Sequence, residues 1–412
     1  MAVIIFEDER WPDFAPLSIF RHVTLLRWGT RTLLDSVRTL AGAKEVSLWG
    51  RRELAELTSS AEELEYNAQV GDEAFLLNAR ARPDHGLQPL FERRGKFVAK
   101  CGGVVVAARL GTKDIRPGAV QARQLLKLTK GLDVLELPRT ALFQGCWQMV
   151  ESNGLAIAGQ ASRFSDQLEL PERAGVKGPA SNLMIHGSAE VEGHVTFDVR
   201  LGPVVVDEGA SIESLSRVSG PCYIGPKVRV HSALIREGSS IFEGCRVGGE
   251  VENSIIMPHT NKSHYGYVGD SIVGEWVNLG AGSAFSNLKN TYGNVRAEVR
   301  GKKVDTGMMK FGPVIGDMAK VSIGSMIYAG KTVGAASHVS GLVDKSVPSF
   351  TFWDGRNGRM VELLVDSVIE TQRRMMERRG LTLSKAEEIM IRLAFKSTKS
   401  ERARARVKKG RI

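Results

Sequence analysis

A chain of 412 residues, 42% apolar and 25% charged, is too long for one ordinary core, so it holds two domains or one domain and an elongated array. No stretch approaches the run of about 18 apolar residues that a membrane span needs, which excludes a bilayer helix. The net charge of +10 is local: residues 372–412 carry 14 Lys/Arg against 4 Asp/Glu, leaving 42 of each sign elsewhere. Without interleaved aromatics, such a tail does not single out nucleic acid as a partner.

In chain order, MAVIIFEDER turns acidic after five apolar residues and lacks the basic start of a secretory signal. The run AVIIF reads as a buried parallel strand opening onto a loop. Leu33, Leu34, Val37 and Leu40 recur at helical spacing, and residues 45–49, 74–78 and 102–110 are further strand candidates. Strands alternating with helices predict an α/β sandwich on a parallel sheet over 1–172. Cys101, Cys146, Cys222 and Cys245 show no CxxC spacing, so neither a zinc knuckle nor a disulfide framework is expected, and the setting is a reducing, cytoplasmic one. Helical periodicity returns over 140–153, and Gly, Pro, Lys and Ser gather at 172–182 as a boundary.

From 183 to 347 an aliphatic residue recurs about every sixth position, as in IHGSAE, VEGHVT, IFEGCR and IVGEWV. That period predicts a left-handed parallel β-helix of hexapeptide units, three to a coil. The rhythm breaks at 257–267 and 285–313, and interruptions of a solenoid map to loops where chemistry gathers. After Val347 two helices are predicted, near 359–379 and 384–396, followed by a frayed basic end, so that 359–412 forms a C-terminal appendage.

The block NKSHYGYVGDSIVGEWVNLGAGS, residues 261–283, resembles the acetyltransferase half of the bifunctional sugar-1-phosphate nucleotidylyltransferase/acetyltransferases, the GlmU-like family. The resemblance rests on His264, Tyr267, Gly269 and Asp270, then Asn278, Gly280, Ala281 and Gly282, then Asn287, and Lys310 before Ile315–Asp317. It implies acetyl-CoA as co-substrate and N-acetylation of an amino-sugar 1-phosphate. His264 would be the general base, Asn287 a catalytic amide, and Tyr267, Lys310 and Lys289 substrate-binding groups. Ala281 and Ser325 would line the coenzyme A groove of a homotrimer. The residue types suit that chemistry: an imidazole titrating near neutrality can take a proton from an attacking amine. A backbone N–H at 280–282, or the Asn287 amide, can meet the developing oxyanion.

The opening, with Phe-Glu-Asp and Arg27-x-Gly29-x-x-Thr32-Leu33, resembles a divergent sugar nucleotidyltransferase domain. That implies nucleotidyl transfer from an NTP to a sugar 1-phosphate, with Arg21, Arg27 and Arg31 on the phosphates and Mg²⁺ on carboxylates. Departures stand at Asn78 and Gln148, where relatives carry acidic residues. Two alternatives remain open at this level. One is a metal-dependent hydratase of the carbonic anhydrase type using His186, His194, His231 or His338; the other is an acyltransferase with an inactive nucleotide-binding N-domain.

Overall fold

The computed structural model describes residues 2–410 except 43–44, 63, 69–72, 85, 112–116, 119, 121 and 166–167, so the last two residues of the basic end lie outside it. The chain forms two compact units: residues 1–26, 31–145 and 384–393 in the first, and 27–30, 146–383 and 394–412 in the second.

The first unit is built on a six-stranded sheet in the order Val46–Trp49, Ala2–Phe6, Glu73–Asn78, Val104–Gly111, Phe97–Cys101, Asp133–Glu136. Its first three strands are parallel, as their near-continuous apolar runs require of strands covered on both faces. The expected parallel sheet takes in one strand of the opposite sense, Val104–Gly111, which runs antiparallel to both neighbours. The cause is local: Gly102 and Gly103 both have positive φ, 54° and 81°, the conformation of a two-residue hairpin turn. The helix Leu33–Ala41 begins where Thr32 accepts a bond from the Asp35 N–H at 2.9 Å, and Gly42 ends it in the left-handed region. Leu33, Leu34 and Val37 form its buried face.

The second unit is a β-solenoid of about 10 turns. One wall stacks eight parallel strands from Leu183–Ile185 to Thr332–Val333. Their register lines up Ile185, Val206, Ile224, Ile241, Ile256, Val273, Ile315 and Val333 in one column. All eight are buried, which is the aliphatic period of the sequence realised as a core. The coil is already under way at Gly175–Lys177, which pairs with Thr196–Asp198, and it continues to Thr351–Asp354 beside His338–Ser340.

Of the two interruptions, 257–267 is no insertion. Arg246 pairs with Asn261 and Val247 with Lys262, so the coil passes through it unbroken. The pattern looked interrupted because Lys262 stands where neighbouring coils carry an aliphatic residue. The second interruption is real: residues 286–313 leave the coil and form the antiparallel hairpin Arg296–Val299 with Lys302–Asp305.

Two C-terminal expectations are also corrected. The helix starts at Val365, because Arg359–Glu362 is a strand folded back on Thr351–Asp354. The Asp354 carboxylate fixes that turn through the Arg356 N–H and the Asn357 amide. Nor is the basic end, 403–412, frayed where it is described: the Val407 N–H donates to the Arg402 carbonyl at 3.0 Å, and Lys408 bridges to Val361.

Candidate functional site

Asn261 pairs with Asn278 and Tyr267 with Ala284, the same 17-residue step on both sides of the turn. His264 therefore stands over Ala281 at one corner of the solenoid. The two turns are joined directly, since the Gly282 N–H donates to the Tyr265 carbonyl at 2.9 Å. The imidazole of His264 is exposed there. Its turn is held from inside by Lys262, whose Nζ donates to the carbonyls of Gly248, His264 and Gly266 at 2.5, 3.0 and 3.2 Å. Burial lowers the Lys262 ammonium to about 8.

In the 280–282 turn, the Gly280 and Gly282 N–H groups are bonded to Val321 and Tyr265 carbonyls. The Ala281 N–H has no such bond among the described residues.

A polar network lies on the adjoining strand. Asp270, almost fully buried, accepts from Asn253 Nδ2 at 2.7 Å and from Asn287 Nδ2 at 2.6 Å. Asn287 Nδ2 also donates to the Tyr267 hydroxyl at 3.0 Å, which in turn donates to Glu252 at 2.8 Å. Both N–H bonds of the Asn287 amide are therefore taken, and its carbonyl oxygen is the group left to meet a ligand. Lys310 closes the chain on Glu252 at 3.6 Å. Burial raises the Asp270 carboxyl above its ordinary range, against the lowering effect of the two amide bonds. Burial likewise raises the Tyr267 phenol, which keeps it protonated and donating. The network is made possible by Gly269, where a Cβ would lie 2.2 Å from the Tyr267 hydroxyl and 2.8 Å from Asn287 Nδ2.

Thus Tyr267, Asn287 and Lys310 come together, while His264 and Ala281 share the corner beside them. Lys289 donates instead to the Asn294 carbonyl at 2.6 Å. Ser325 is buried, its hydroxyl accepting from the Gly341 N–H at 3.2 Å. Lys262, Glu252 and Asn253 were not singled out from sequence. Asp270 was visible as a motif letter, but the pairing of Glu252 and Asn253 with it depends on register across a coil.

In the first unit the carboxyl end of Ala2–Phe6 carries Glu7 and Asp8, both neutralised. Glu7 receives Arg51 Nε at 3.0 Å and Nη2 at 3.1 Å. Asp8 receives Arg80 Nη2 at 2.6 Å and Asn78 Nδ2 at 2.9 Å. Each carboxyl is held below its ordinary value: burial works against ionisation, and it is overcome by His22 and Arg51 at Glu7 and by Arg80 at Asp8. Carboxylates so engaged do not fit a Mg²⁺ site, which needs oxygen lone pairs facing an ion. Arg21 donates to the Leu17 carbonyl at 2.8 Å and Arg31 to the Thr39 hydroxyl at 2.6 Å. In the second unit Arg27 lies 5.5 Å from the Phe242 ring centre, and Gln148 sits in the helix Cys146–Glu151.

The histidines of the hydratase alternative stand apart in their bonding. His186 pairs with Ser188 and His231 with Glu213, His194 is exposed, and burial beside Lys320 lowers His338 to about 4. Among the described residues, no group of three or more His, Cys, Asp or Glu could hold a metal ion.

In comparison with known proteins, residues 3–167 match the sugar nucleotidyl transferase family. The chain is also similar to proteins named as bifunctional. It is 35% identical over 181 residues to the bifunctional protein GlmU of Methanococcus vannielii, covering 42% of each chain. It is 33% identical over 156 residues to the bifunctional sugar-1-phosphate nucleotidylyltransferase/acetyltransferase of Sulfurisphaera tokodaii, covering 36% of this chain and 38% of that one. The matches to these two thus span about two fifths of the relatives' length. Among solved structures, the UDP-N-acetylglucosamine acyltransferase of Francisella novicida aligns over 55% of this chain and 86% of that one, at 15% identity and a TM-score of 0.27. AntD, an N-acyltransferase from Bacillus cereus in complex with dTDP and coenzyme A, aligns over 50% of this chain and 91% of its own, at 11% identity and a TM-score of 0.18.

Proposed function

We propose that this chain transfers the acetyl group of acetyl-CoA to the amine of an amino-sugar 1-phosphate, and pairs this with nucleotidyl transfer from an NTP to a sugar 1-phosphate. The observation that carries the first activity is the register of His264 over Ala281 beside the Asn287–Asp270–Tyr267 network. As the amine nitrogen bonds to the thioester carbon, His264 takes its proton. The carbonyl π electrons move to oxygen, where the Ala281 N–H meets them. Collapse of that intermediate breaks the carbon–sulfur bond, and the coenzyme leaves as the thiol with the proton His264 returns. Asn287 presents its carbonyl oxygen to the sugar, and Lys310 and Tyr267 face its polar groups. Ala281 belongs to the groove for the pantetheine arm, and Ser325, fully buried, backs its wall from inside.

The working form is a homotrimer in the cytoplasm, with 1–172 as the nucleotidyltransferase-like domain, 183–347 as the acyltransferase domain and 359–412 as the appendage. The relatives named above and the matching family support both activities. An assay of thiol release from acetyl-CoA over a panel of amino-sugar 1-phosphates tests the first. His264→Ala is expected to lower kcat/KM by a factor of about 10²–10⁴; equal turnover removes His264 from the mechanism.

The Glu7–Arg51 and Asp8–Arg80 pairs favour a second reading of the first unit, as a domain that binds a nucleotide without transferring it. Nucleotidyl transfer would need Mg²⁺ held by carboxylates, with Arg21, Arg27 and Arg31 toward the phosphates. Calorimetry with UTP and dTTP, with and without Mg²⁺, separates the readings: Mg²⁺-independent binding without pyrophosphate release supports the binding domain.

A further inference from the structure

The hairpin that leaves the solenoid at 286–313 makes a cleft of which the roles above use only Lys289. It is about 560 Å³ and is lined by Lys289, Arg296, Lys303 and Lys331, with Asp305 as its one acidic wall, together with Asn294, Val295 and Ala329. Four cations against one carboxylate leave a concave surface of strongly positive potential, with walls that concentrate it.

The cleft is also held in shape. The Val295 N–H donates to the Met308 carbonyl at 2.8 Å, and the Thr306 hydroxyl to the Val295 carbonyl at 2.8 Å, pinning the hairpin's root. Gly330, at a φ of 66°, lets the root close on the coil: a Cβ there would lie 2.6 Å from the Arg296 carbonyl oxygen. The Lys289 ammonium is fixed by the Asn294 carbonyl. Basic side chains on a mobile loop would be an ordinary solvated surface; here they converge on a preformed cavity.

We infer that this cleft binds a phosphoryl group, with Lys303, Lys331 and Arg296 as donors that the proposed acetyl transfer does not otherwise use. A guanidinium fork and flexible ammonium groups suit the several oxygens of a phosphate or diphosphate. A cavity of this size takes a small molecule. Two sources carry that chemistry into the proposed reaction: the phosphates at the nucleotide end of coenzyme A, and the phosphate of the sugar. Lys289 stands two residues from Asn287, which puts the cleft within reach of either. In naming these sources, the inference rests on the acetyl-transfer reading.

The test titrates adenosine 3′,5′-bisphosphate and glucosamine 1-phosphate, in separate arms, into the full chain and into Lys303→Ala/Lys331→Ala, with calorimetry as the readout. The arm whose affinity falls at least about tenfold identifies the source, and a Lys303→Arg/Lys331→Arg variant is expected to restore it. The thermal midpoint is expected to stay with the parent, because Lys303 is exposed and neither ammonium is part of the core. Affinities unchanged in both arms, or no binding of either probe to the parent, overturn the inference. Binding that follows the lysines in a chain that releases no thiol from acetyl-CoA sinks the acetyl-transfer reading and leaves the cleft standing. Thiol release with binding indifferent to the lysines does the reverse.

Discussion

Lys262 puts an ammonium into a column of hydrocarbon. Val230 and Val247 precede it in register, and Leu279, Val321 and Val339 continue the wall beyond it. A buried lysine is costly unless its three hydrogens are bonded, and the three carbonyls it reaches include that of His264 itself. Holding the His264 turn is therefore the role that explains the substitution. Lys262→Met should keep the column filled and the thermal midpoint near the parent's, while turnover falls about tenfold through a loosened corner. A lower midpoint with unchanged kcat would show that the lysine serves the fold alone. Gly269→Ala acts on the neighbouring network, because its methyl group would overlap the Tyr267 hydroxyl. It should cost about 1–3 kcal/mol of stability and raise the KM for the sugar phosphate, read by denaturant unfolding and by steady-state kinetics.

At the scale of elements, pH reports the other buried lysine. Lys320 Nζ donates to the Trp276 and Met318 carbonyls, and burial lowers its pKa from 10.5 to about 7. Between pH 7 and 10.5 the unfolded chain holds a proton that the folded chain has released, so stability rises with pH across that window. Below pH 7 the cost of the buried charge is fully present. Lys320→Met should flatten the rise, as measured by urea unfolding at pH 7 and pH 10; a slope equal to the parent's would mean that Lys320 titrates normally.

The elements also show what the sequence could and could not disclose. Ile185 through Val333 announced the solenoid, because each coil repeats one local rule and the residue that obeys it is the residue that is buried. Lys262 hid the coil at 257–267 by breaking that rule inside an intact strand. His264, Tyr267, Asn287 and Lys310 were legible as a motif, whereas Glu252 and Asn253 join them only through the register of parallel coils. The basic end misled for a similar reason. Arg402 looks like one charge among many, yet it donates to Glu362 at 2.7 Å and to the Phe395 carbonyl at 2.7 Å, and lies 4.2 Å from the Phe395 ring centre. Arg402→Ala would strand Glu362 and should cost about 3 kcal/mol, visible as a lower denaturation midpoint.

For the whole molecule, the corner that carries His264 is also where apolar side chains face outward. Tyr265 is 74% exposed, Ile323 78% and Met326 58%, and Tyr328 and Leu342 are exposed as well. Met326 and Leu342 are paired on neighbouring coils, and Ile323 follows Ala281 at the corner, because Gly324 donates to the Ala281 carbonyl. Scattered exposed hydrophobics need no cause, but a set that follows one edge past the His264 corner fits a surface for association. The proposed trimer covers it with a second copy of the chain, and the acyl site then lies beside the subunit boundary. Ile323→Glu/Met326→Glu should shift the sedimenting species from about three chain masses to one, each 45.0 kDa. Thiol release should fall with it, because a boundary site cannot outlast its boundary. A variant that sediments as a single chain yet keeps full turnover would confine the acyl site to one solenoid, and a parent that is already a single chain would refute the trimer.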